Sequence, residues 1–230
     1  MFIPLHDQNP LRVIPVQVTT LALIACCVGV FAWQLGLDSH ALGAFQSEYG
    51  LIPAQLLGAG GANVNTDSWS LKLGLLTGMF LHGGWLHLLG NMAYLWVFGD
   101  NVEDAMGHAR FLLFYLLCGV LAAAGHALLF PQSYAPLIGA SGAVAGVMGA
   151  YVMLHPRVKV LILAFSRFPI QLPAYVLLAL WFAWQIYAAV TASSVAVAWW
   201  AHVVGFVVGA ILVIPFKRAE VALFDQGTSH

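Results

Sequence analysis

The chain has 230 residues, of which 61% are hydrophobic and only 7% charged, and its formal net charge is −1. A soluble domain carries about a quarter charged residues, so this composition excludes an ordinary water-soluble globular protein. The near-neutral charge offers no basic surface and argues against nucleic acid as a partner. A mean hydropathy of +0.88 indicates that a lipid bilayer is the solvent for most of the surface.

Six apolar segments are long enough, or nearly so, to cross a bilayer, which takes about 20 residues per helix. They are residues 15–37, 84–99, 111–130, 137–154, 172–190 and 195–215. We therefore expect an all-α fold, a bundle of six transmembrane helices with a long outer first loop. The first segment is too long for the apolar region of a signal peptide, so we interpret it as a retained helix.

These segments predict a membrane domain, residues 15–217, between two short tails, residues 1–14 and 218–230. If the N-terminus is cytoplasmic, the outer segments hold a single basic residue, Lys72. The cytoplasmic segments then hold Arg12, Arg110, Arg157, Lys159, Arg167, Lys217 and Arg218. The positive-inside rule predicts that both termini are cytoplasmic. We expect a multi-pass protein of the cell (inner) membrane.

Four polar residues are predicted near the outer ends of the second, fourth and sixth helices: His87, Asn91, Ser141 and His202. At 1.5 Å per residue, each lies within roughly 5–12 Å of that end. Ionisable groups at such depth are costly and usually functional. We therefore predict Ser141 as a nucleophile and His202 as its base.

His87 and Asn91 are four residues apart, so both project from one helical face. Each can donate a hydrogen bond to the oxyanion that forms when a serine attacks a carbonyl group. Taken alone, the pair is more typical of hydrogen bonds between neighbouring membrane helices.

Glycines line the expected contact between the fourth and sixth helices. Gly205 and Gly209 follow His202 at positions +3 and +7, so all three share one face. The fourth helix carries Gly142, Gly146 and Gly149 beside Ser141. Because small residues let membrane helices approach closely, these two helices can bring the hydroxyl and the imidazole together.

Other chemistries fit less well. No Asp or Glu lies between Ser141 and His202, and strand-like alternation is missing, so an α/β-hydrolase triad is not expected. His82 and His87 are five residues apart and no His-Glu-x-x-His occurs, which argues against zinc. We expect a Ser–His dyad that needs neither a metal nor a cofactor.

The remaining histidines have simpler structural interpretations. His126 and His155 lie near predicted helix ends, where interfacial positions are expected. His108 belongs to a cytoplasmic cluster with Glu103, Asp104 and Arg110 that is either solvated or caps a helix.

Around the four polar residues, the sequence resembles the rhomboid family of intramembrane serine proteases over nearly the whole chain. Residues 82–91, HGGWLHLLGN, resemble the family's second-helix motif, which implies that His87 and Asn91 stabilise the oxyanion. Residues 139–142, GASG, resemble its Gly-x-Ser-Gly motif and imply Ser141 as nucleophile. Ala201-His202-x-x-Gly205 resembles the sixth-helix motif and implies His202 as general base.

The resemblance extends to two loops. Residues 99–103, GDNVE, with Gly107 and Arg110, are similar to the structural loop that follows the family's second helix. The long loop at about 38–80 resembles the family's hairpin in the outer leaflet, and an ordinary amphipathic interfacial segment is the alternative.

Two positions depart from the pattern. Some members carry a tyrosine, stacked on the histidine, four residues after the nucleophile. This chain has Ala145 there, so its imidazole must be held either in another way or more loosely. Some members have Trp-Arg in the first loop, where this chain has Trp69-Ser70.

The resemblance implies hydrolysis of peptide bonds in or next to transmembrane segments of other membrane proteins. Substrates would enter sideways, past the fifth helix and the loop near Ser193 and Ser194. Two alternatives are an inactive rhomboid-like protein that binds membrane clients and a small transporter. The inactive form typically lacks the serine or the histidine, and a transporter would show an internal repeat.

Overall fold

The computed structural model describes residues 2–58, 69–164, 167–191 and 197–225. These ranges include one short 3-10 helix, Gly78–Phe80. The elements in chain order are β1 (Phe2–Asp7), α1 (Val18–Leu35), α2 (Ser39–Tyr49), α3 (Pro53–Leu56), α4 (Trp69–Thr77), α5 (Trp85–Met106), α6 (His108–Leu129), α7 (Ser141–Leu154), β2 (Lys159–Ala164), β3 (Phe168–Pro173), α8 (Ala174–Thr191) and α9 (Trp199–Phe216).

Helices dominate this architecture, which confirms the predicted helical membrane fold. The six long helices α1, α5, α6, α7, α8 and α9 coincide with the six predicted apolar segments. By length and composition, α1, α6, α8 and α9 can each cross a membrane. Helix α7 has only 14 residues, and α5 carries Asp100, Glu103 and Asp104 towards its end. The expected six spans are compatible with this arrangement.

Helix α7 lies at the centre of the bundle, where residues 142–151 are all buried. It packs against α5, α6 and α9. A Cβ atom added to Gly205 would overlap the carbonyl oxygen of Gly142, and one added to Gly209 would overlap that of Gly146. The close approach of α7 and α9 that the glycine pattern predicts is therefore confirmed.

A three-stranded antiparallel sheet in the order β1-β2-β3 was not predicted. Val160, Ile162 and Ala164 of β2 are buried and alternate with more exposed residues. Because the exposed positions are also mostly apolar, the period of two is hidden in the sequence KVLILA. Strand β3 contains Pro169 and Pro173, as is typical of an edge strand.

Two carboxylates near the end of α5 bind the chain around the start of α1: Glu103 caps the helix, and Asp104 holds the segment before it. Glu103 accepts hydrogen bonds of 2.8 Å from the backbone N–H groups of Thr19 and Thr20. Asp104 accepts bonds from the N–H groups of residues 12–14. Both side chains are buried, so of the two alternatives for this cluster, helix capping is the one observed. Carboxylates at this position satisfy free N–H groups and favour the positive end of the helix dipole.

The described parts of the two tails, residues 2–14 and 218–225, lie at one end of the bundle. Arg12 forms a 2.9 Å ion pair with Asp225, and the Asp225 N–H donates to the carbonyl of Leu154, the last residue of α7. Ser141 is the first residue of α7. It therefore lies at the opposite end of the bundle from Arg12 and Asp225.

Candidate active site

A serine and a histidine meet between α7 and α9. Oγ of Ser141 lies 2.8 Å from Nε2 of His202, a distance typical of a hydrogen bond between a hydroxyl and an imidazole nitrogen. Both residues are half-buried. The glycine contact between their helices brings these two side chains together, although 61 positions separate them in the chain.

The second ring nitrogen of His202 also has a partner. Its Nδ1 lies 2.8 Å from the carboxamide oxygen Oε1 of Gln185, a buried residue of α8. Gln185 is not among the residues predicted from the sequence. A signal was present, because an amide side chain within an otherwise apolar membrane helix usually has a hydrogen-bonding role.

Aromatic rings from α8 and α9 surround the imidazole. The Trp181 ring lies 6.1 Å from that of His202 at an interplanar angle of 32°, and the Trp199 ring lies 6.0 Å away, edge-on at 87°. Ala145, the position of the missing tyrosine, is fully buried in α7. The aromatic rings near the imidazole therefore come from α8 and α9, and position 145 of α7 contributes none.

His87 lies close to the residues that precede Ser141. A Cβ atom on Gly139 would come within 2.5 Å of Nε2 of His87. Gly139 also has a φ of +118°, a conformation that L side chains rarely adopt, so glycine is needed there on two counts. The Gly83 N–H donates to Nδ1 of His87 at 3.3 Å. Nε2 of the neutral ring therefore carries the proton and can donate it.

Asn91 lies one helical turn beyond His87 on α5, the helix that packs against α7. Its side chain is buried, and among the described residues its Nδ2 has no hydrogen-bond partner. Leaving a buried donor unsatisfied costs about 1–3 kcal/mol. Such a group is a candidate for binding a ligand or a transient charge.

A second buried amide, Gln34 of α1, holds the segment that leads into α5. Its Nε2 donates to the carbonyl of His82 at 3.1 Å, and its Oε1 accepts from the His82 N–H at 3.0 Å. This paired contact anchors the chain five residues before His87. Gln34, too, is not among the residues predicted from the sequence.

A cavity of about 20 Å³ borders Ser141, which is enough for one water molecule. Its lining includes Gly119, Ala122, Gly142 and Ala201. Because the side chains of these residues are small, they leave the cavity open although the helices pack closely around it. Within the described ranges, no group of three or more His, Cys, Asp or Glu side chains has the arrangement of a metal site.

The other histidines lie outside this contact. His155 follows α7 at the end near the tails, where it is buried against Tyr151, and burial lowers its pKa to about 4. His126 of α6 is half-buried beside Phe130. Ser193 and Ser194, predicted to border a gate, lie outside the described residues.

The model of the rhomboid domain matches residues 69–219, a range that includes Ser141 and His202. Over 103 residues the chain is 33% identical to YdcA, a rhomboid-family protein of Bacillus subtilis, covering 40% of this chain and 51% of YdcA. It is 42% identical over 85 residues to the rhomboid protease GluP of Bacillus subtilis, covering 36% and 16%. It is 31% identical over 104 residues to mitochondrial rhomboid protein 1 of Saccharomyces cerevisiae, covering 43% and 30%.

The matched segments span about half of YdcA and smaller shares of the other two relatives. The family model covers about two thirds of this chain. Apolar helices long enough to cross a membrane accompany that match. This multi-pass membrane protein therefore belongs to the rhomboid family.

Proposed function

We propose that the protein is an intramembrane serine protease that hydrolyses peptide bonds within or next to the transmembrane segments of other membrane proteins. The observation that carries this proposal is the 2.8 Å contact between Oγ of Ser141 and Nε2 of His202. Membership of a family whose named relatives include the protease GluP supports it.

In the first step, the Ser141 hydroxyl attacks the carbonyl carbon of the scissile peptide bond while Nε2 of His202 accepts its proton. A bond forms between Oγ and that carbon, and the carbonyl oxygen becomes an oxyanion. His202 then gives the proton to the departing amine as the C–N bond breaks, which leaves an acyl-enzyme on Ser141.

The oxyanion needs donors that are already in position. We assign this role to the Ser141 backbone N–H at the start of α7, to Nδ2 of Asn91 and to Nε2 of His87. The N-terminus of a helix favours negative charge, and the amide of Asn91 is buried with no partner among the described residues. One such donor contributes roughly 10²–10³ in rate.

Water completes the reaction. A water molecule attacks the acyl carbon, His202 takes its proton and returns it to Oγ, and the carboxylic acid product leaves. The small cavity beside Ser141 supports this step because it has room for one water molecule at the nucleophile. The reaction requires no cofactor.

We further propose that both termini face the cytoplasm and that the dyad faces the outer side of the membrane. The distribution of basic residues supports this orientation. Transmembrane substrates would reach the dyad sideways, through the lipid and past α8. In this orientation, catalysis takes place at the outer end of the membrane domain, residues 15–217.

A tagged fluorophosphonate tests the proposal, because it reacts with an activated serine without requiring a known substrate. The purified protein in lipid nanodiscs is treated with the probe, and the modified residue is mapped by mass spectrometry. We expect the label on Ser141 in the wild type and no labelling of Ser141→Ala.

A second arm measures cleavage of a model single-span membrane protein. The wild type should cleave it, whereas a Ser141→Ala variant with an unchanged Tm should not. Binding of the model protein without labelling or cleavage by the wild type would instead identify an inactive client-binding member of the family.

A further inference from the structure

Gln185 of α8 lies on the far side of the His202 ring from Ser141. Its Oε1 lies 2.8 Å from Nδ1 of His202, and its side chain is 4% exposed. Its Nε2 donates to the backbone carbonyl of Trp181, one turn earlier in α8, at 3.4 Å. Both ends of the amide are therefore engaged.

These contacts determine the orientation of the amide. A backbone carbonyl can only accept, so the NH₂ end of Gln185 faces Trp181 and the oxygen faces His202. Because that oxygen also only accepts, Nδ1 of the neutral imidazole must carry the proton. The lone pair of Nε2 then faces the Ser141 hydroxyl, as a general base requires.

We propose that Gln185 is a positioning residue, which holds His202 in the tautomer and ring orientation that receive the proton of Ser141. This inference rests on the proposed protease function. Gln185 acts through His202 and touches neither the nucleophile nor the scissile bond.

The surroundings of the ring explain why such a partner is needed. Ala145 provides no aromatic surface on the α7 side, and no acidic residue lies between Ser141 and His202. Trp181 and Trp199 pack near the ring, but packing alone does not select which nitrogen carries the proton. A hydrogen-bond acceptor at Nδ1 does.

The test compares two substitutions of similar length. Gln185→Met removes the acceptor, and Gln185→Glu keeps one. We expect Gln185→Met to lower kcat about 10-fold or more, in line with a lost hydrogen bond and a disturbed tautomer. KM and Tm should stay unchanged, and the fluorophosphonate should label Ser141 more slowly. Gln185→Glu should retain most of kcat.

Leu180→Met is the matched control, because Leu180 is an exposed residue of the same helix. It should behave as the wild type in every measurement. Wild-type kcat and labelling in Gln185→Met, or equal losses in Gln185→Met and Gln185→Glu, would overturn the positioning role.

A spectroscopic arm does not depend on activity or on the stability of the Met variant. In protein labelled with ¹⁵N-histidine, the ring signals lost in His202→Ala identify His202. We expect the wild type to show a protonated Nδ1, and protonation at Nε2 instead would overturn the inference. If the wild type fails to cleave or label, the protease proposal fails, while these signals still report which ring nitrogen of His202 carries the proton.

Discussion

Gly205 in α9 lies against the carbonyl oxygen of Gly142 in α7, without room between them for a Cβ atom. This contact sets the register of the two helices. Ser141 directly precedes Gly142, and His202 lies one turn before Gly205 on the same face. Because the backbones touch at this level, the hydroxyl and imidazole reach hydrogen-bonding distance.

Gly205→Val should separate α7 from α9 and weaken both the fold and the dyad. Overfilling a packed contact costs about 1–3 kcal/mol, so we expect a lower Tm together with slower fluorophosphonate labelling of Ser141. Gly29→Ala is the control, since a Cβ on Gly29 meets no atom within 4 Å. Unchanged Tm and labelling in Gly205→Val would contradict the close contact.

His202→Ala should abolish cleavage, with kcat falling at least about 10³-fold as expected for loss of a general base. His155→Ala is the comparison, because His155 is a buried histidine at the opposite end of α7. It should lower Tm but keep the kcat of the folded protein. Equal losses of kcat in both variants would indicate a general packing role for these histidines.

Asn91→Ala should lower the cleavage rate by roughly 10–10³, because it removes one oxyanion donor. Substrate affinity should not change, since the donor acts on charge that develops during the reaction. Asn91→Asp has nearly the same shape but places an acceptor there, and it should lose at least as much rate. An unchanged kcat with weaker substrate binding would assign Asn91 to substrate recognition instead.

Ala145→Tyr tests whether an aromatic ring can be restored beside the imidazole. Ala145 is fully buried in α7, so we expect overpacking to destabilise the protein by about 1–3 kcal/mol rather than to increase activity. Ala22→Tyr, on the exposed side of α1, should leave Tm unchanged. Faster cleavage by Ala145→Tyr at wild-type Tm would show that α7 has space for the ring.

Asp7, the last residue of β1, makes the stability of the three-stranded sheet depend on pH. Burial raises the pKa of Asp7 above its ordinary value of 3.8, and the hydrogen bond from the Tyr151 hydroxyl only partly opposes this. A raised carboxyl pKa means that stability is greatest below the ordinary value and declines as pH rises through the raised one. Asp7→Asn should therefore show a smaller decline. Thermal unfolding measured from pH 4 to 8 checks this, and parallel curves for the two proteins would contradict it.

The membrane class and the helices follow from composition and hydrophobic length. A single segment that crosses lipid must pair its own backbone N–H and C=O groups. Each long apolar segment is therefore expected to form an α-helix. The six helices coincide with the predicted segments for this reason. The sheet was not predicted because its strands are short and its central strand, β2, is mostly apolar on both faces.

The four candidate residues were also identifiable in the chain, since polar groups among apolar residues stand out and the glycines mark which helix faces meet. Sequence alone therefore determined the class of protein and the helices, and it predicted the four polar side chains on which the proposed function rests. Tertiary structure decided what these side chains touch. That Gln185 faces Nδ1 of His202, and that Glu103 caps α1, depends on how separate helices rotate and align, and this is set by packing across the whole bundle rather than by any local pattern.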